Sequence, residues 1–123
     1  MRVHSKVGSD QGASAVEFAI VLPLLAVLLF GIIQYGFTFF EYIQVAQSAR
    51  EAVRWGALGS TDAEVRAKAV AAAPTMASTM AVTIARTADS VSVTVTQPVT
   101  RLAPLPAIAV PVSVSSTAVQ RKE

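Results

Sequence analysis

The sequence predicts an α+β fold, with one long membrane-spanning helix near the N-terminus continuing into a small head that holds one further helix and a short antiparallel sheet. Three observations carry this expectation. An apolar run without a charge extends from Phe18 to Phe40. Thr61-Asp62-Ala63-Glu64 has the spacing of a capping box that opens a helix. Ala81 to Arg86 and Val91 to Thr96 alternate as strands do, and Val110 to Val119 reads as a last strand.

The apolar run spans 23 residues between Glu17 and Glu41, with Gln34 and Thr38 its only clearly polar side chains. A helix of that length extends roughly 34 Å, enough to cross a bilayer core with some tilt. Tyr35, Phe37, Phe39, Phe40 and Tyr42 gather at its C-terminal end, as an interfacial aromatic belt does. Pro23 sits inside the run, where a membrane helix tolerates it and bends. The competing reading is a cleaved secretory signal. The run is longer than the usual apolar region of such a signal, and the best small-residue site, Ala46-Gln47-Ser48, lies well past its end. Arg2 and Lys6 precede the helix while Arg50 and Arg54 follow it, so the charge rule for orientation is near a tie.

Past the span the helix is expected to continue. Tyr42, Val45, Ala46, Ala49, Val53 and Ala57 fall on one side at helical spacing, and Gln44, Gln47, Arg50, Glu51 and Arg54 lie mostly on the other. Gly59 is a natural stop. The second helix runs through Val65, Ala69 and Val70 and ends before Pro74. Thr87-Ala88-Asp89-Ser90 makes the turn between the first two strands. Residues 97–109 hold Pro98, Pro104 and Pro106 with Leu102, Leu105 and Ile108, an apolar loop suited to a partner, to the membrane surface or to folding back on the head. Pro111 confines the start of the last strand to a sheet edge.

Composition narrows the function classes. The 123 residues leave room for one small domain besides the span, and 53% of them are hydrophobic, with a mean hydropathy of +0.53. A net charge of +2 with scattered basic residues does not make a nucleic-acid face. There is no cysteine, so disulfides and thiolate metal sites do not arise, and His4 is the single histidine. One histidine in a polar segment completes neither a usual zinc site nor a nucleophile triad. No phosphate-cradling glycine loop is present. The residues therefore point to no catalytic site, no metal, no cofactor and no small-molecule substrate.

The residues just ahead of the span read Gly12-Ala13-Ser14-Ala15-Val16-Glu17-Phe18. Glycine presents no side chain, so another chain can approach the backbone there closely. Glu17 stands one helical turn after Ala13, on the same helix face. A carboxylate is also favoured near a helix N-terminus. The competing reading makes Glu17 a solvated boundary marker. The segment resembles the cleavage signal of type IV prepilin-like proteins. More specifically, Gly12 to Pro23, the apolar run with Gly31 and Gly36, and the helix carrying Ala49-Arg50-Glu51-Ala52-Val53-Arg54 resemble the TadE-like pseudopilins of tight-adherence (Flp) pilus systems.

The resemblance covers about residues 12–59. It implies a leader of residues 1–12, cut after Gly12 to leave Ala13 as the new N-terminus. Residues 13–59 would then form the membrane and extended helix, and residues 60–123 a small extracytoplasmic head. It also implies a role for Glu17 and Phe18 in charge pairing and assembly, for Pro23, Gly31 and Gly36 in packing within the membrane, and for Arg50, Glu51 and Arg54 in subunit contacts. Against the last stands a plain solvated helix face. The implied partners are a prepilin peptidase, other pilin and pseudopilin subunits, the assembly platform and the lipid bilayer. The expected location is the cytoplasmic membrane, N-terminus inside and head outside, or the pilus at the cell surface. The alternative is a single-pass membrane adaptor, never processed, that binds a partner through its head.

Overall fold

The computed structural model describes residues 7–102 and 110–123. One helix, α1, runs unbroken from Val7 to Ala57 over 51 residues, through Pro23. Helix α2 spans Asp62–Ala72 and is followed by a single 3-10 turn, Pro74–Met76. Strands β1 (Ala81–Arg86), β2 (Ser90–Pro98) and β3 (Ser113–Arg121) form one antiparallel sheet in the order β1-β2-β3. The long helix, single further helix and short antiparallel sheet are the expected α+β architecture.

The head is built around the C-terminal third of α1. Val45, Ala49, Ala52 and Val53 are buried against Val65 and Ala69 of α2, Met76, and Val91, Val93, Val95 and Val114 of the sheet. Alanines on α1 let the helix approach the sheet closely. Gly56 carries this furthest, because a Cβ there would stand 3.0 Å from Val91 Cγ1. β2 is the central strand and shows the expected alternation: Val91, Val93, Val95 and Gln97 are buried, with Ser92, Thr94 and Thr96 half-buried on the other face.

The turn from α1 to α2 is set by backbone chemistry. Ser60 N donates to Trp55 O at 3.2 Å and Gly59 N to Gly56 O at 3.2 Å, with Gly59 at φ +88°. These are the paired bonds of a Schellman ending, which needs a left-handed residue at the glycine. Thr61 then caps α2 reciprocally with Glu64. Ser48 Oγ, fully buried on α1, donates to Ala69 O at 2.7 Å and so satisfies one of the last carbonyls of α2. Arg86, at the end of β1, ties the turn to the sheet: it donates to Asp62 Oδ1 at 2.8 Å, Ser60 O at 2.7 Å and Gly56 O at 3.4 Å.

Two details differ from the sequence expectation. Strand β3 starts at Ser113 rather than Val110. Its ladder with β2 closes at Pro98 opposite Ser113, and one further bond, Val99 N to Val112 O, lies beyond it. Tyr42 is half exposed rather than part of the buried stripe; Glu41 takes the inward position, since it bonds to Thr100. In the uncut chain, counting from Val7, Glu17 lies in the third described turn of α1. Residues 1–6 of the leader and Pro104, Leu105, Pro106 and Ile108 of the apolar loop lie outside the described residues.

Candidate membrane anchor and processing segment

Between Phe18 and Phe40 almost every apolar side chain of α1 is exposed, including Ile20, Leu24, Val27, Leu28, Ile32 and Phe39. This is the single helix among the described residues that is long and apolar enough to cross a membrane, and none of its most apolar stretch is buried by the protein. Apolar area of that extent has no partner in the head, so a bilayer or other helices must cover it. The geometry is that of a single-pass membrane anchor.

Gly12, Ala13, Glu17 and Phe18 occupy the exposed second to fourth turns of α1. A Cβ at Gly12 would meet nothing, so the glycine is not there for packing within this chain. Ala13 and Glu17 are one turn apart on the same face. Pro23 is exposed within the continuous helix. Gly31 is half-buried and Gly36 exposed, and a Cβ on either would meet nothing. Gly36 forms the floor of an open apolar groove of about 440 Å³ with Ile32, Ile33, Phe37 and Phe40 on its walls.

Arg50, Glu51 and Arg54 lie some 50 Å along the helix from Glu17 by the α-helical rise, so the two groups do not converge. Arg50 and Arg54 are exposed. Glu51 is half-buried and accepts a hydrogen bond from Trp55 Nε1 at 2.8 Å, and Lys68 Nζ sits 4.1 Å above the Trp55 ring. Glu51 and Trp55 thus brace α1 against α2 through a cation–π contact. Among the described residues, no group of three His, Asp or Glu side chains is placed to hold a metal ion.

The structure adds a set of residues that sequence reasoning did not single out. Gln34, Thr38, Glu41 and Ser48 are all buried on the head-facing side of α1. Gln34 and Glu41 hold the backbone of Thr100 and Leu102, Thr38 Oγ1 donates back to Gln34 O at 3.0 Å, and Ser48 caps α2. Their helical spacing is visible in the sequence; the segments they bind are not.

The apolar helix, the glycine ahead of it and the basic helix beyond it form one continuous element. Residues 12–54 match the TadE-like protein family. The TadE-like region thus begins at Gly12, takes in Glu17, Pro23 and the whole apolar run, and ends at Arg54, before α2 and the sheet. The match covers 43 of the 123 residues. No curated protein and no solved structure matches the chain.

Proposed function

We propose that this TadE-like chain is a minor pilin-like subunit that acts in the assembly of a tight-adherence pilus after a prepilin peptidase cuts between Gly12 and Ala13. The observation that carries the reading is that the family match starts at Gly12, with Glu17 and Phe18 at the spacing of a prepilin signal and an uncovered apolar helix directly behind them.

The physics of the segment supports processing. A peptidase needs the scissile bond extended, and the bond after Gly12 lies inside α1. Glycine costs a helix about 1 kcal/mol relative to alanine, so the helix opens most cheaply there. After the cut, the new Ala13 amine stands one turn from Glu17, and the two charges neutralise each other within the chain or between neighbours. Pro23, Gly31 and Gly36 then meet other helices in the bilayer, where small residues allow close approach. Arg50 and Arg54 contact neighbouring subunits at the base of the head. The leader faces the cytoplasm, the head lies outside the cytoplasmic membrane, and the assembly platform is the remaining partner.

Sequencing the N-terminus of the protein purified from native membranes tests the proposal. Ala13 is expected. Met1 would overturn processing and leave the chain an unprocessed membrane adaptor. A reporter fused after Glu123 tests orientation, and cytoplasmic activity of that fusion would contradict it.

A further inference from the structure

Gln34 is the only amide side chain between Phe18 and Phe40, and it is 1% exposed. Its Nε2 donates to Thr100 O at 2.9 Å, and its Oε1 accepts from Leu102 N at 2.8 Å. A carboxamide that joins a carbonyl to the N–H two residues on satisfies an extended segment as a neighbouring strand does. Two turns along α1, Glu41 accepts from Thr100 N through both oxygens, at 3.2 and 3.4 Å. The first limb of the β2–β3 connection is therefore fastened along α1. The second limb returns beside it: Val112 O accepts from Val99 N at 3.0 Å, and Pro111 lines a groove with Tyr35, Thr38, Phe39 and Tyr42.

Depth gives this fastening its meaning. Gln34 lies six residues inside the apolar run from Phe40, roughly 9 Å by the helical rise. The segment it binds must reach that level as well. In water, Gln34 and the Thr100 and Leu102 backbone would be satisfied by solvent. Away from water each would be costly alone, and together they cancel. Leu102, whose N–H Gln34 holds, is 49% exposed with Arg101 exposed beside it, and Val112, bonded to Val99 on the other limb, is 76% exposed.

We infer that the two described ends of the β2–β3 connection, residues 99–102 and 110–112, bind the membrane: Leu102 and Val112 enter the lipid interface around the head-proximal end of α1, and Arg101 meets the headgroup phosphates. The occupant is lipid because Leu102 shares a groove with Phe37 and Phe40 of the span, and Pro111 one with Tyr35 and Phe39, and because a cation beside an apolar side chain suits an interface. The inference rests on the membrane-anchor reading and is independent of any role in a pilus.

The absence of cysteine allows a clean test. Leu102→Cys, Val112→Cys, Leu25→Cys in the span and Thr83→Cys on β1 each carry an environment-sensitive fluorophore on the full chain. The proteins are placed in vesicles of equal parts phosphatidylcholine and phosphatidylglycerol and quenched by doxyl-labelled lipid or by aqueous iodide. Lipid quenching at 102 and 112 is expected to exceed that at 83 by roughly threefold or more, with protection from iodide. Iodide quenching at 102 and 112, with Leu25 quenched by lipid, would overturn the inference alone; failure at Leu25 would overturn the anchor itself. Protection that grows with the protein-to-lipid ratio would mean a second copy covers the loop, and would also overturn it. Adding Gln34→Leu should cut lipid quenching at 102 and leave Leu25 unchanged; an unchanged signal at 102 would show that Gln34 does not set the depth.

Discussion

Val91 fills the space that Gly56 leaves open on α1: a Cβ built on Gly56 would come within 3.0 Å of Val91 Cγ1 and 3.6 Å of Val65 Cγ2. Both neighbours are fully buried β-branched side chains that have one stiff torsion and cannot swing aside. Gly56→Val is therefore expected to destabilise the head by about 1–3 kcal/mol, as overpacking does. The span is untouched, so membrane insertion should be normal. Thermal unfolding in detergent, followed by Trp55 fluorescence, measures the effect; an unchanged midpoint would mean that the helix and sheet are not packed this closely.

The capping box of α2 predicts an acid-sensitive contribution to stability. Glu64 Oε2 accepts from Thr61 N at 2.8 Å and from Thr61 Oγ1 at 3.1 Å. These bonds, the backbone one first, hold the exposed Glu64 carboxyl below its usual value; desolvation opposes them less strongly, and the Lys68 charge adds the smallest lowering effect. A depressed folded-state value stabilises the fold at pH above the unfolded-state value, and the contribution is lost as pH falls through the folded-state value. The gap in unfolding midpoint between wild type and Glu64→Ala should be widest near neutrality and close in acid. A gap that is constant with pH would remove the ionised carboxylate from the cap.

At Gly12 the expectation concerns processing rather than folding. The position is exposed and empty around its missing Cβ, so Gly12→Leu fits the helix without strain. The substitution should block cleavage, because the side chain keeps the backbone from the peptidase and strengthens the helix that must open. The unprocessed chain should still accumulate in membranes. A product of normal shortened length from this variant, seen by immunoblot, would end the prepilin reading.

Glu17→Gln separates cleavage from assembly. The amide keeps shape and hydrogen-bonding capacity but removes the charge proposed to pair with the Ala13 amine. The variant should still be cut after Gly12 and still enter the membrane. Its association with partner subunits, measured by crosslinking within the cleaved pool, should weaken by about tenfold, the consequence of losing one charge-assisted contact. Equal association with normal piliation would reduce Glu17 to a boundary marker.

What the sequence determined by itself was everything governed by short range. The uncharged run from Phe18 to Phe40 specifies a membrane-length helix because length and apolarity suffice. Thr61 and Glu64 specify the start of α2 because both partners of the cap lie within one turn. Val-Thr-Ser alternation specifies the strands, and the Gly12-to-Phe18 motif with the helix behind it lies within residues 12–54, which match the TadE-like family. Only the tertiary structure decided what Gln34, Glu41, Ser48 and Gly56 do. Gln34 meets a backbone carbonyl 66 residues away, Glu41 an amide 59 away and Ser48 a carbonyl 21 away, while Gly56 faces a strand that lies beyond α2. Read locally, the first two are a polar blemish in an apolar run and an acid at its boundary. A residue's own neighbours reveal its backbone preference and its solvent preference, but a buried polar group is explained only by the distant donor or acceptor that chain folding brings to it.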